Sequence, residues 1–208
     1  MTDAAQEAFE AYALAVGQVA YTWNYLQDAL GQLFVAITSM DDRIALSVWY
    51  SSNSDRVQRN MLKAAIVASS EDRWLPRLQT ARSDLLWLVE HANKLADQRN
   101  NAIHAPTTMV TMSSGREMVT SISAYINGHP RAHRLWGKRL LLEFSWCAET
   151  ADTLSIFTRQ ATLALRDGLT PWPDRPALPT RGPKTSPQVQ PRQPRPKSHQ
   201  RRSRSTQA

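Results

Sequence analysis

The chain has 208 residues, 42% of them hydrophobic, with a net charge of +7 and one cysteine. That length allows one well-buried domain with appended segments, and the lone Cys147 excludes an internal disulfide framework and fits a reducing compartment. No apolar run approaches the ~20 residues of a membrane span, and the acidic start at Asp3 and Glu7 lacks the basic and apolar regions of a signal peptide, so a soluble, cytoplasmic protein without a membrane partner is expected.

From about Asp3 to Thr38 the apolar residues Phe9, Tyr12, Val16, Val19, Trp23, Leu26, Leu30, Leu33 and Ile37 recur in steps of three and four. This spacing predicts one long helix with a wide apolar stripe, with Gly17 and Gly31 as its weak points. Trp23 belongs to that stripe and reads as core. Asp41-Asp42 can cap a shorter helix to about Tyr50, and Ser54 is a good N-cap for a third helix over Asp55 to about Ala68. In that third helix Val57, Met61, Leu62, Ala65 and Ile66 are expected to face inward. Arg56, Arg59 and Lys63 then form a basic side, read first as a solvated face and second as a surface for RNA phosphates.

A long amphipathic helix comes next, from Leu75 to Pro106, with Pro76 tolerated in its first turn. Leu78, Leu85 and Ala92 share one heptad row, and Ala81, Leu88 and Leu95 the neighbouring one. Seven residues beyond Ala92 stands Arg99, so a seam of apolar side chains ends in a guanidinium. Burying an unpaired Arg is costly, so either the seam opens into a cleft there or the charge meets an anion. At ~100° per residue Asn100 and His104 lie ~40° apart on one face, while Arg99 and His104 are ~140° apart. Pro106 disfavours helical geometry at Ala105 and places His104 in the last turn, where the helix dipole favours imidazolium.

Beyond Pro106 the period changes. Residues 107–112 and 119–126 are rich in β-branched residues around Ser113-Ser114-Gly115-Arg116, which predicts a small β-hairpin inserted at about 107–126. A last helix is expected from about Leu135 to Arg166, carrying Leu140, Phe144, Cys147, Ala151, Leu154 and Ala161 on one side and ending at Asp167-Gly168. His129 and His133 have a helical metal spacing, but Pro130 stands between them and no acid or Cys cluster is near in sequence, so no metal or other cofactor is expected. From Leu169 onward there are nine basic residues and one acid, a net of +8 against −1 for the rest of the chain. This Pro- and Arg-rich stretch is expected to be a disordered tail over 169–208, beyond the domain at 1–168. Arg192, Arg195, Arg201, Arg202 and Arg204 would attract RNA through charge alone.

The sequence Arg99-Asn100-Asn101-Ala102-Ile103-His104 near the end of a long helix resembles the R-N-x-x-x-H signature of the HEPN superfamily (higher eukaryotes and prokaryotes nucleotide-binding domains), an all-α family that includes many metal-independent ribonucleases. The resemblance rests on Arg99, Asn100, His104 and their helical setting. It implies an endoribonuclease with Arg99, Asn100 and His104 as catalytic residues. It also implies a homodimer in which two such helices meet across a shared cleft, a role in toxicity or defence, and a neutralising antitoxin-like partner.

The fold expected is therefore all-α: an antiparallel four- to five-helix bundle, HEPN-like, with a hairpin insertion and a disordered tail. RNA cleavage without a metal needs a base for the ribose 2′-OH, an acid for the departing 5′ oxygen and positive charge against the phosphorane. His104 can move a proton, Arg99 can hold phosphate bidentately, and Asn100 would orient the imidazole or a phosphate oxygen. One histidine per chain is few for both transfers. The alternative is a catalytically inactive HEPN-like module that binds nucleotide, RNA or a partner protein. A third reading makes the motif structural, with Arg99 paired to Asp97 or Glu90 and His104 hydrogen-bonded in the core.

Overall fold

The computed structural model describes residues 3–70, 74, 78–114, 117–125 and 128–181. Among them six helices and one hairpin occur in the order α1 (Asp3–Thr38), α2 (Asp42–Tyr50), α3 (Asp55–Ala68), α4 (Ala81–His104), β1 (Thr107–Ser114), β2 (Glu117–Ala124), α5 (Pro130–Leu135) and α6 (Leu140–Asp167). This is the all-α bundle with a hairpin insertion that the periodicities predict. No helix among the described residues is long and apolar enough to cross a membrane.

Helix α1 forms because its apolar stripe has a core to enter: Val19, Trp23, Leu26, Leu30, Leu33 and Ile37 are all buried, while Phe9 near its start is left exposed. Its most extensive partner is α6, whose Phe144, Cys147, Ala151, Leu154 and Ala161 are buried along the expected side. At ~25 cal/mol per Å² of apolar surface removed from water, this central pair is the main source of cohesion. Tyr12 packs on Phe144, Arg159 lies over Tyr25, and Arg166 reaches Gln32, so α1 and α6 run in the same direction. Helix α4 is antiparallel to both neighbours: Arg59–Asn93 with Arg82–Val67 set its direction against α3, and Trp87–Phe157 with Arg181 bridging Gln98 and Glu143 set it against α6. Short loops reverse consecutive helices only; α1 and α6 are not consecutive, so the antiparallel expectation does not extend to them.

Local capping agrees with the sequence in most places. The Asp41 carboxylate accepts from the N–H groups of Arg43 and Ile44, and Ser54 Oγ accepts from the Val57 N–H at 3.5 Å. At Gly168, φ is +67°, the left-handed C-cap that glycine takes without a Cβ penalty. Gly31 has a packing role, because a Cβ there would stand 3.0 Å from Nε1 of the buried Trp49.

Three boundaries differ from expectation. Helix α4 opens at Ala81 and not at Leu75; Leu78 is buried just ahead of the helix, where periodicity cannot distinguish it from a helical residue. The final helix, expected from about Leu135, begins at Leu140 as α6, and a separate short helix, α5, ends at Leu135, with Gly137 between the two at φ +68°. The largest difference concerns the stretch from Leu169, for which composition predicts a disordered tail. Residues 169–181 instead run extended over the body, a strap pinned by hydrogen bonds from Trp172, Arg175 and Arg181. The remainder of the expected tail, 182–208, lies outside the described residues. The hairpin pairs antiparallel, with Thr107 opposite Ala124 and Thr111 opposite Thr120.

Candidate functional site

Helix α4 carries Arg99, Asn100 and His104 into its last two turns and stops at Ala105, whose φ of −75° and ψ of 129° are the extended geometry that Pro106 demands. The row Leu85, Ala92, Arg99 does face inward: both apolar members are fully buried and Arg99 is half-buried. Its guanidinium carbon lies 5.7 Å from the centre of the Trp23 ring on α1, and its Nη1 donates to Asn100 Oδ1 at 2.9 Å. The charge at the end of the seam is thus met by an aromatic face and a side-chain amide.

A second guanidinium stands at the same ring. Arg59 of α3 is only 3% exposed, and its guanidinium carbon is 5.2 Å from the Trp23 ring centre. Its Nε donates to Asn93 Oδ1 of α4 at 2.7 Å. Trp23 Nε1 donates to Asp55 Oδ2 at 2.9 Å, so the indole is locked in place by the first residue of α3. Burial pushes the Arg59 guanidinium below its usual pKa; the Asp55 carboxylate opposes that shift, and Arg99 and Arg56 add like-charge repulsion. Arg59 Nη1 and Arg99 Nε are both buried without a hydrogen-bond partner. Asn101, fully buried two residues beyond Arg99, has neither side-chain amide atom paired.

Arg59 therefore does not belong to the solvated basic side of α3 that periodicity assigns to it with Arg56 and Lys63. Those two are exposed, whereas Arg59 is turned inward on the stripe of Leu62 and Ile66. Val57, expected inward, is 46% exposed. The helix is rotated because two polar side chains find buried partners: Gln58 Nε2 donates to the carbonyls of Trp49 and Ser52, and Arg59 reaches Asn93. The spacing of Arg59 three residues before Leu62 and seven before Ile66 is the sequence signal for this placement.

His104 is exposed in the last turn of α4. Among the described residues no hydrogen bond joins it to Arg99 or Asn100, and five residues of helix turn the imidazole ~140° from the Arg99 direction. Asn100 steadies the guanidinium and makes no bond to the imidazole. Of the structural reading, His104 is exposed and not hydrogen-bonded in the core, and among the described residues no salt bridge joins Arg99 to Asp97 or to Glu90, which pairs with Lys94 at 2.5 Å.

The strap ends next to the motif. Arg181 Nη2 donates to Gln98 Oε1 at 2.7 Å and pairs with Glu143 at 3.3 Å, and its guanidinium lies 4.3 Å from the Trp146 ring centre. Trp146 Nε1 in turn donates to the Pro179 carbonyl at 2.9 Å. Cys147, buried nearby, has its thiol pushed up to about 12 by burial, with Arg181 and Arg99 opposing the shift, which makes it an inert packing residue. His91 packs on Trp87 with ring centres 4.4 Å apart, and His129 caps the start of α5 while His133 lies in its last turn. No group of three metal-ligating side chains occurs among the described residues. Arg192, Arg195, Arg201, Arg202 and Arg204 lie outside those residues. In comparisons with protein-family models, curated proteins and solved structures, the chain matches none.

Proposed function

We propose that the protein is a cytoplasmic, metal-independent endoribonuclease of HEPN type that cleaves RNA by 2′-OH attack across a homodimer cleft. The observation that carries the reading is the arrangement at the end of α4: a half-buried Arg99 steadied by Asn100, with an exposed His104 one turn further on and turned away. Within one chain the imidazole does not meet the guanidinium. A second copy related by a two-fold axis would bring His104 of each subunit toward Arg99 of the other, supplying two imidazoles for the two proton transfers.

In this mechanism one His104 takes the proton of the ribose 2′-OH as that oxygen attacks phosphorus. The other protonates the departing 5′ oxygen. Arg99 holds the non-bridging phosphate oxygens as negative charge builds on the phosphorane, and Asn100 keeps its planar fork oriented. The products are a 2′,3′-cyclic phosphate and a 5′-hydroxyl. A role in toxicity or defence, with an antitoxin-like protein covering the cleft, accompanies this reading.

A second reading, a catalytically inactive module that binds RNA, nucleotide or protein, is favoured by one observation: Arg99 is tied into Asn100 and Trp23, and no hydrogen bond among the described residues orients His104 against them. Incubating purified protein with RNA in excess chelator separates the two. Cleavage leaving 2′,3′-cyclic phosphate ends, with DNA untouched, is the expected result; intact RNA at micromolar enzyme would leave only the binding reading.

A further inference from the structure

We propose that Arg59 is a second phosphate-holding residue, forming with Arg99 a two-guanidinium clamp around one phosphate of the RNA backbone. This deepens the ribonuclease reading and rests on it for the identity of the phosphate. The two guanidinium carbons approach the same indole at 5.2 and 5.7 Å, which places them within about 11 Å of each other. Each guanidinium also keeps a buried N–H without an acceptor, Nη1 on Arg59 and Nε on Arg99. A buried donor left unsatisfied is costly, more so on a charged group, and a bound anion is one way such donors are completed.

The charges around the pair point to an anion. Arg56, Arg59 and Arg99 face Asp55 and Asp97 in this cluster, an excess of one positive charge. One carboxylate oxygen of Asp55 is already occupied by Trp23 Nε1. A phosphodiester offers two acceptor oxygens with a net charge of −1, which matches two forked donors and that excess. Arg99, half-buried, would form the mouth of the clamp, and Arg59, 3% exposed, its floor. Trp23 is itself 1% exposed and so serves as a wall that holds both cations, not as a platform for a base.

The probe is an oligoribonucleotide with 2′-O-methyl groups, which blocks the nucleophile and separates binding from cleavage. Arg59→Lys and Arg59→Met should each weaken its binding by about tenfold or more, the scale of a lost charge-assisted contact. In Arg59→Met, which removes the charge, the dependence of log K on log salt should also become shallower, whereas Arg59→Lys keeps the charge and should keep the slope. In wild-type protein, inorganic phosphate should shift the Nε–H resonances of Arg59 and Arg99 with one shared midpoint, a readout that does not depend on a variant folding. Unmoved resonances, or Arg59 variants with wild-type affinity and salt slope, would overturn the clamp. Wild-type protein that fails to cleave RNA yet binds the probe through Arg59 would sink the ribonuclease and leave the clamp standing. Cleavage that proceeds normally in both Arg59 variants would do the reverse.

Discussion

The two ends of α4 each bury charge, and they do so in opposite ways. At its first turn Asp84, 4% exposed, is fully met: Trp172 Nε1 donates to Oδ2 at 2.8 Å, Arg175 Nε bonds the other oxygen, and Arg175 Nη2 reaches Ser83 at 3.0 Å. In its last turns Arg99 and, across from it, Arg59 have only part of their donors engaged. A completed pair is what a fold requires to keep a charge in its interior. An incomplete one leaves donors open to a ligand, and on the proposed reading the Asp84 end is structural and the Arg99 end functional, although both look alike as charged residues within an apolar repeat.

The sharpest way to break the contrast is at the functional end. If His104 moves protons and Arg99 stabilises the phosphorane, His104→Ala and Arg99→Ala should each lower RNA cleavage by about a hundredfold or more, with little change in melting temperature. Arg99→Lys should also be poor, because an ammonium keeps the charge and loses the planar fork. Asn100→Ala should fall between. Stable variants that cleave as fast as wild type would remove the catalytic assignment and erase the difference between the two ends.

The shared cleft makes a further demand on that end alone. Adding His104→Ala protein to wild type should lower cleavage below that of the same amount of wild type alone, because a mixed dimer keeps one imidazole where the proposed mechanism needs two. Light scattering at tens of micromolar should give a dimer. A strictly monomeric particle, or wild-type activity untouched by the added variant, would require a second proton carrier within one chain.

The structural end should respond in stability and not in chemistry. Truncation after Gly168 removes Trp172, Arg175 and Arg181 together, stranding the buried Asp84 carboxylate and uncovering Trp87 and Trp146. The loss should be about 3 kcal/mol, the scale of breaking a buried charge pair plus some apolar contact. Arg175→Ala alone should lose less, about 1–2 kcal/mol, because Trp172 still donates to Asp84. Thermal melts of both proteins check the ranking, and a truncated chain as stable as the full one would show that the strap merely rests on the body.

The same divide separates the legible parts of the molecule from the hidden ones. Periodicity reports apolar faces, so α1, α3, α6 and the change of period at Pro106 can be read directly, and Ser54, Asp41 and Gly168 announce their caps. Periodicity assigns charged residues to solvent by default, which is why it places Arg59 on the outer side of α3. The inward turn of Arg59 depends on Asn93 and Trp23, which are distant in sequence. The strap is hidden for a related reason: composition marks a Pro- and Arg-rich stretch as unable to build a core, but Trp172 and Leu178 need only dock on a core built elsewhere. The motif residues are visible as a pattern. Their mutual orientation is visible only as a helical angle, and the Asn100–Arg99 bond has no signature in the spacing.

The smallest expected effect separates the strap from the residues beyond it. Residues 182–208 contain seven basic residues, Lys184, Arg192, Arg195, Lys197, Arg201, Arg202 and Arg204, and no acid. They follow Arg181, which bonds to Gln98, the neighbour of Arg99 in sequence. On the proposed reading their charge would raise the local concentration of a polyanion at the motif. Truncation after Arg181 should therefore leave the melting temperature unchanged, because every strap contact to Asp84, Glu143 and Gln98 remains. Binding of the 2′-O-methyl probe should weaken, and its salt dependence should flatten, since fewer counterions are released. At saturating RNA the cleavage rate should be that of the full chain, because no group that handles the phosphate has been removed. An unchanged salt slope would show that the basic stretch does not touch RNA, and a lowered rate at saturation would place part of the chemistry beyond Arg181.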